Sequence, residues 1–377
     1  MIPLIQDWLQ ELWKPLHALR YISVRAALAA AVAFLLALSL GGPLIRALRA
    51  AGVGEDVSGN DDPEVGALHA RKGKTGTPTM GGVFWVTAVL LSTLIFADSR
   101  ELLVLLGAVL LVGMGTLGFF DDWIKWKRDG GRNGLSRATK LFWTVLLTGY
   151  VAVMLWYMGE RTGRPEIGRI YVPLLKDLFA QTEHLGLFGL GLFVVFEAFV
   201  ILATTHAVNV TDGLDGLAAG AGLITFAALT VAVYMVGHAE WAAYLNLPRI
   251  PGAGEVVVMG GAILGATLGF LWFNASPAQI FLGDSGALPM GAMIGYFAIV
   301  SKQELALPLL AGVFVFDVAT SLIQIYWFKW TGKRVFRKAP IHHAFELGGL
   351  AEQKIVTRFW IGGAVSATLG LLLLKVR

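Results

Sequence analysis

Long uninterrupted apolar segments are the feature that most restricts how this chain can fold. Each is close to the roughly 20 residues that an α-helix needs to cross a bilayer core. The segments do not alternate apolar and polar residues, which disfavours a β-barrel. Only 15% of the residues are charged, whereas a soluble domain carries about 25%. We therefore predict an all-α integral membrane protein, with one polytopic membrane domain over residues 1–377.

Ten segments have the length and composition of transmembrane helices, so both termini are expected on one side of the membrane. They lie near residues 24–45, 80–98, 101–121, 138–158, 186–206, 216–237, 256–274, 284–300, 305–328 and 355–375.

Basic residues are unevenly distributed over the connecting loops. Loops 46–79, 121–140 and 329–354 hold 17 of the 30 lysines and arginines, and the opposite face holds 11. The positive-inside rule places these loops, with loops 206–216 and 274–284, in the cytoplasm.

Three further features limit the fold and the function. The external stretch 159–185 contains RIYVPLL, which predicts a short periplasmic hairpin. The absence of cysteine excludes disulfides, thiolate metal ligands and a cysteine nucleophile. No block of lysines and arginines is long enough to indicate nucleic acid binding.

Two adjacent aspartates end the third apolar segment, in the sequence GFFDDWIKWK. On a helix, Asp121 and Lys125 share a face, while Asp122 points roughly 100° away. Adjacent carboxylates suit Mg²⁺, which takes oxygen ligands and usually meets substrate phosphates as well. Taken alone, however, such a pair is more typical of a solvated helix end.

Asn209, Asp212 and Asp215 in NVTDGLDGLA are three residues apart, so they stay near one face while the chain is helical. The motif contains no lysine that could neutralise its acids. Unpaired acids so close to apolar spans are costly, which favours a functional role.

The next loop, NASPAQIFLGDSGALPMG, joins two predicted spans. Asn274 ends one span and Asp284 begins the next, where a helix N-cap is an alternative role for the acid. Phe281 lies between them and suits either base stacking or anchoring at the membrane interface.

The first of the five loops contains HARKGKTGTPTMGG, in which Lys74 and Thr79 precede two glycines that open a span. Backbone N–H groups at such a helix start favour an anion, although a turn flanked by positive-inside lysines also fits.

His342 and His343 lie in the fifth loop, within GKRVFRKAPIHHAFEL. They reach the acids only if the loops converge. A zinc site is less favoured here, because adjacent histidines rarely bind one metal together and Mg²⁺ prefers oxygen. Two deeper acids, Glu197 and Asp317, suit either function or hydrogen bonding between helices.

Three classes of function can be compared on these features. A transporter would distribute its charges through the spans and show an internal repeat. A scaffold protein does not require four acid-bearing loops on one face. An enzyme with its active site at the cytoplasmic face accounts for the observed residues. It needs acidic residues suited to Mg²⁺ and basic residues suited to phosphate, beside an apolar membrane domain.

Taken together, the motifs TPTMGG, GFFDDWIK, NVTDGLDGLA, FLGDSGALPMG and APIHHAFEL resemble those of the phospho-N-acetylmuramoyl-pentapeptide transferases. This family belongs to the polyprenyl-phosphate N-acetylhexosamine-1-phosphate transferase superfamily. The resemblance extends from about residue 69 to residue 347. It implies transfer of phospho-N-acetylmuramoyl-pentapeptide from its UDP-linked precursor to undecaprenyl phosphate, which gives lipid I and UMP in peptidoglycan synthesis. A related enzyme that uses UDP-N-acetylglucosamine would share the aspartates.

The resemblance also implies Mg²⁺, a location in the bacterial inner membrane with its lipids, a homodimer, and specific site residues. The implied catalytic residues, with Asp284 as the metal ligand, are Asp121, Asp122, Asp284, His342 and His343. The implied substrate-binding residues are Lys74, Thr79, Lys125, Lys140, Asn209, Asp212, Asp215, Asn274 and Phe281.

Two positions depart from the family's pattern. Ala344 stands where the family often has a third histidine, and Asp317 stands where its members tend to carry glutamate.

For the mechanism we expect direct in-line attack by the lipid phosphate, which is mostly a dianion because its second pKa is about 6. The alternative is a covalent aspartyl-phosphate.

Overall fold

The computed structural model describes residues 2–4, 14–54, 63–71, 73–129, 134–172 and 179–376. Over these residues the helices of the first half are α1 (Ile22–Ala50), α2 (Pro63–Arg71), α3 (Gly82–Phe96), α4 (Leu102–Asp129), α5 (Arg137–Arg161) and α6 (Gly186–Thr211). Those of the second half are α7 (Leu217–Gly237), α8 (Ala239–Leu245), α9 (Ala253–Asn274), α10 (Asp284–Ser301), α11 (Leu307–Leu310), α12 (Gly312–Thr331), α13 (Ile341–Leu347) and α14 (Glu352–Val376). Short 3-10 helices form at Ile2–Leu4, Lys14–Arg20, Pro165–Gly168 and Thr182–Leu185.

Each of the ten predicted spans coincides with helical structure, which confirms the all-α membrane fold. Among the described residues, seven helices are long and apolar enough to cross a membrane, namely α1, α4, α5, α6, α7, α9 and α14. Helix α3 is shorter, with 15 residues. The predicted span 305–328 is interrupted, because the backbone of Ala311 leaves helical geometry at φ −111° and ψ 34° between α11 and α12.

A two-stranded sheet forms inside the stretch where a hairpin is predicted. Strand β1 (Arg169–Tyr171) pairs antiparallel with β2 (Phe179–Gln181), and Arg169 lies opposite Gln181. The strands confirm the hairpin, while its periplasmic location stays a prediction.

Small residues allow the helices to approach one another closely. A Cβ atom on Gly261 of α9 would lie 2.2 Å from the carbonyl oxygen of Ala26 in α1, and one on Gly265 would lie 1.9 Å from that of Ala30. Lipid offers no hydrophobic driving force between helices, so such close packing is what holds membrane helices together.

Helix α10 occupies the centre of the bundle. Every residue from Asp284 to Ser301 is buried, and the helix packs against α3, α4, α6 and α7. Asp284 is its first residue, so the centre of the bundle determines where this acid lies.

Candidate active site

The N-terminus of α10 is capped by a side chain from another helix. Asp122 Oδ1 accepts a hydrogen bond of 3.1 Å from the backbone N–H of Asp284, and Asp122 Oδ2 accepts one of 2.9 Å from that of Ser285. The helices approach closely because of Gly118, where a Cβ atom would lie 2.0 Å from the carbonyl oxygen of Asp284. The preceding residue, Gly283, has φ +69°, a conformation that favours glycine.

Two lysines join Asp121 to Asp284. Lys125 Nζ lies 2.7 Å from Asp121 Oδ2 and 3.0 Å from Asp284 Oδ2. Lys140 Nζ lies 3.0 Å and 2.6 Å from the same two oxygens. The contact between Asp121 and Lys125 confirms the helical spacing predicted for this pair. The two acids are thus brought together across 163 positions of the sequence through shared cations.

Two further donors complete this cluster. Asn209 Nδ2 donates a hydrogen bond of 2.5 Å to Asp284 Oδ1, and the Leu135 N–H donates one of 2.9 Å to Asp121 Oδ1. Thr79 reaches the same helix start, since a Cβ atom on Gly283 would lie 2.6 Å from Thr79 Oγ1.

The three aspartates of this cluster are suited to a cation. One carboxylate oxygen from each of Asp121, Asp122 and Asp284 lies within 4.8 Å of the others, and all three residues are buried. Three carboxylates and two lysine ammonium groups leave one uncompensated negative charge when all five are ionised. Oxygen donors with a net negative charge are the chemistry that hard divalent cations require.

A second buried cluster involves Lys74, Asp215 and Glu352. Lys74 Nζ donates to Asp215 Oδ1 at 2.8 Å and also to Glu352 Oε1, which accepts the Asp215 N–H at 2.9 Å. Burial alone would lower the pKa of Lys74, but the two neighbouring carboxylates outweigh it and raise the pKa above its ordinary value. Asp215 Oδ2 accepts a further hydrogen bond of 3.0 Å from the Ala278 N–H.

Asn274 ties two of the motif loops together. Its Oδ1 atom accepts a hydrogen bond of 3.0 Å from the Gly216 N–H, and its Nδ2 atom donates one of 2.9 Å to the Ile280 carbonyl. Both polar atoms of the side chain are therefore engaged in holding the loops.

The backbone around Phe281 pairs with the TPTMGG loop. The Phe281 N–H donates to the Pro78 carbonyl at 2.8 Å, and the Phe281 carbonyl accepts from the Gly81 N–H at 2.9 Å. The Phe281 ring is half-buried, as is Asp212 at the end of α6.

A buried acid–imidazole pair lies against Gly213 of the NVTDGLDG motif. His342 Nδ1 is 2.6 Å from Asp317 Oδ2, and both side chains are fully buried. His342 Nε2 has no hydrogen-bond partner among the described residues and faces Gly213, where a Cβ atom would lie 2.5 Å away. Asp317 is therefore paired with His342. The other deep acid, Glu197, is fully buried in α6 beside Glu304.

His343 belongs to a separate cluster with His69 and Glu346. Glu346 Oε2 lies 3.2 Å from His343 Nδ1 and 3.1 Å from His69 Nε2. Burial lowers the pKa of His343, and His342 and His69 lower it further, while the Glu346 carboxylate partly opposes the shift. Its surroundings therefore favour the neutral form of this imidazole.

One stretch of the chain, residues 209–216, thus contacts predicted residues in all three clusters. In the stretch 209–216, Asn209 contacts Asp284, Gly213 lies against both histidines, and Asp215 contacts Lys74. The motif loops do converge, which is the condition for the histidines to lie near the acids, and they form three adjacent clusters with different partners.

Three residues of these clusters were not identified as candidates from the sequence. Glu346 follows His343 by three positions, a helical spacing that gives a usable signal. His69 opens the motif that contains Lys74. Glu352 has no local signal, because its partner Lys74 lies 278 positions away.

Two comparisons with known proteins give matches that include the residues of the site. Residues 102–302 match the glycosyl transferase family 4 model, a range that contains Asp121, Asp122 and Asp284. The chain is 39% identical over 378 residues to the phospho-N-acetylmuramoyl-pentapeptide-transferase of Citrifermentans bemidjiense. That alignment covers 100% of this chain and 99% of the relative, so it also includes Lys74, His342 and His343.

Proposed function

The chain belongs to the phospho-N-acetylmuramoyl-pentapeptide-transferase family, within glycosyl transferase family 4, and from this premise we infer its reaction. It transfers phospho-N-acetylmuramoyl-pentapeptide from the UDP-linked precursor to undecaprenyl phosphate. An oxygen of the lipid phosphate bonds to the β-phosphorus of the donor, and the bridging oxygen leaves with UMP. The product is lipid I, a membrane intermediate of peptidoglycan synthesis.

The observation that carries the proposal is the joint contact of Lys125 and Lys140 with Asp121 and Asp284. A reaction between a phosphate dianion and a diphosphate needs positive charge where the two anions meet. Fixed ammonium groups in a buried site provide it without reorganisation during the reaction. The two lysines therefore contact the reacting phosphates.

The acidic cluster fits Mg²⁺. Its donors are carboxylate oxygens, and one negative charge stays uncompensated by the lysines. Asp284 and Asp121 would hold the ion in exchange for part of their lysine contacts, because both oxygens of Asp122 cap the backbone of α10. When bound, the ion would screen charge on the diphosphate and stabilise the leaving phosphate.

Asp121 orients the lipid phosphate, or removes its proton when that phosphate is a monoanion. The second pKa of a phosphate monoester is about 6, so the nucleophile is mostly ionised at neutral pH and needs little base catalysis. An aspartyl-phosphate is the alternative, and Asp121 or Asp284 would carry it, because both contact the two lysines, whereas Asp122 caps helix α10. Radiolabelled phospho-enzyme formed from UDP-sugar in the absence of lipid would contradict direct attack.

The nucleotide binds beside the Lys74 cluster. Asp215 and Asn274 have all side-chain oxygens engaged in holding the loops, so they shape the pocket. The half-buried ring of Phe281 offers a stacking surface for uracil. Asp212 and Thr79 would supply further polar groups to the donor.

The lipid acceptor approaches along a groove between α6 and α12. The groove has a volume of about 220 Å³ and is lined by residues that include Val200, Thr204, Ala207, Val208, Phe314 and Val318. It reaches the residue before Asn209, whose amide contacts Asp284. A polyprenyl chain in this groove would place its phosphate at the carboxylate–lysine cluster.

We place the enzyme in the bacterial inner membrane with these loops on the cytoplasmic side, because basic loops prefer that side. A homodimer is part of the same proposal.

The proposed reaction is tested with purified protein, undecaprenyl phosphate and Mg²⁺, with UMP release as the readout. UDP-N-acetylmuramoyl-pentapeptide is expected to support turnover and UDP-N-acetylglucosamine is not. The reverse preference would assign the chain to the related UDP-N-acetylglucosamine transferases and overturn the proposal.

A further inference from the structure

Two imidazoles and one carboxylate converge outside the aspartate cluster. His69 Nε2 and His343 Nδ1 lie 3.1 Å and 3.2 Å from the same oxygen of Glu346. One ligand atom from each of the three residues lies within 4.8 Å of the other two. His69 and Glu346 are buried, and the His343 side chain is 14% exposed.

The two distances to Glu346 Oε2 are close to those between the ligands of a tetrahedral zinc ion. Zinc bonds of about 2.0–2.1 Å to nitrogen and oxygen place neighbouring ligand atoms roughly 3.3–3.4 Å apart. Two imidazoles and a glutamate also form the ligand set of zinc sites that keep a fourth position open.

We propose that His69, His343 and Glu346 form a zinc site whose fourth position is open to water or to an oxygen of a substrate. Mg²⁺ is not expected there, because nitrogen ligands suit zinc and Mg²⁺ prefers an all-oxygen set. The site takes only one of the two adjacent histidines, since His342 Nδ1 already contacts Asp317.

Zinc at this site would link two motif loops. His69 belongs to α2, and its carbonyl accepts a hydrogen bond of 3.2 Å from the Lys74 N–H. His343 and Glu346 belong to α13. The ion would thereby fix the loop that carries Lys74 to the helix that carries the histidine pair.

Zinc binding by the full-length chain tests the proposal. The protein is purified in detergent without a polyhistidine tag, stripped with a chelator and dialysed against micromolar Zn²⁺ in excess Mg²⁺. Elemental analysis is expected to find one tightly bound zinc per chain. His69→Gln and Glu346→Gln are each expected to weaken zinc binding more than about tenfold.

The controls separate this site from other donors. His17→Gln alters an exposed histidine, and Asp284→Asn alters the aspartate cluster, so both are expected to retain the zinc. Loss of zinc in Asp284→Asn, or retention in His69→Gln, would overturn the assignment.

X-ray absorption on the wild-type protein does not depend on how the variants fold. Scattering from two imidazoles is expected at the zinc edge. A wild-type chain that binds no stoichiometric zinc, or whose zinc shows no imidazole scattering, contradicts the proposal. None of these readouts depends on transferase activity, so their failure is distinct from a failure of the proposed reaction.

Discussion

Asp122 accepts a hydrogen bond of 3.1 Å from the backbone N–H of Asp284, so an acid within helix α4 caps helix α10, which Asp284 begins. Its neighbour Asp121 instead lies within 3.0 Å of two lysine ammonium groups. Asp121 also accepts the Leu135 N–H, and Asp122 Oδ1 lies 3.8 Å from Lys125 Nζ. The two adjacent aspartates nevertheless differ in their main contacts, because Asp122 caps a helix and Asp121 contacts both lysines.

Asn substitutions are expected to separate these roles. Asp122→Asn keeps one acceptor oxygen and loses the other, and loss of an N-cap contact costs about 1–2 kcal/mol of unfolding free energy. Asp121→Asn leaves the cap intact, and both lysines keep Asp284, so its main effect falls on rate and Mg²⁺ dependence. Melting temperature and UMP release distinguish the two. Identical behaviour of both variants in stability, rate and Mg²⁺ dependence would contradict the division.

Substitution of Lys74 is expected to destabilise the nucleotide side of the site. Lys74→Met leaves Asp215 and Glu352 buried without their shared cation, and breaking a buried pair costs about 3–5 kcal/mol. The melting temperature should fall, and the KM for the UDP-sugar should rise.

The raised pKa of Lys74 predicts the pH range of this stabilisation. A group whose pKa is higher in the folded state stabilises fully below its unfolded pKa, which is about 10.4 for lysine. The contribution is lost as the pH rises from that value through the folded pKa. Wild-type protein and the exposed control Lys333→Met should both lose melting temperature in this alkaline range more steeply than Lys74→Met. An equally steep loss of melting temperature with rising pH in Lys74→Met would contradict the claim that deprotonation of Lys74 causes the loss in the wild type.

Asp317 is expected to act on the reaction by positioning His342. Asp317→Asn removes the charge that orients the buried imidazole, so kcat should fall by about tenfold or more, with a smaller change in KM. Asp317→Glu keeps a carboxylate on a side chain that is longer by one methylene, and this variant should retain most of the rate. Equal rates for the Asn and Glu variants would exclude a role of the charge.

The close approach at Gly118 gives a prediction with a matched control. Gly118→Ala would place a methyl group 2.0 Å from the Asp284 carbonyl, which must push α4 and α10 apart. Overpacking of this kind costs about 1–3 kcal/mol, and activity should fall with it. Gly149→Ala, also inside a long helix but with no atom within 4 Å, should be neutral or more stable. Wild-type activity in Gly118→Ala would contradict the need for this contact.

Local patterns predicted much of the membrane fold and part of the site. Apolar length is sufficient to locate the helices, and the i,i+4 spacing of Asp121 and Lys125 is enough to predict their contact. The interruption at Ala311 was not predicted, because residues on both sides of it in the run 305–328 are predominantly apolar.

Long-range partners could not be predicted from the sequence. Glu352 meets Lys74 across 278 positions, and Asp122 finds its amide donors more than 160 positions away. Such contacts depend on how the helices pack. The sequence predicts that acids, lysines and histidines gather on one face, but not that they divide into three clusters.

The central claim is that Asp284 holds Mg²⁺ among the aspartates and lysines that contact the reacting phosphates. Initial rates of UMP release, measured against Mg²⁺ concentration for wild type and Asp284→Ala, test it most directly. We predict Mg²⁺-dependent turnover in the wild type and none in Asp284→Ala at any Mg²⁺ concentration. Full turnover of Asp284→Ala in excess Mg²⁺ would contradict the account.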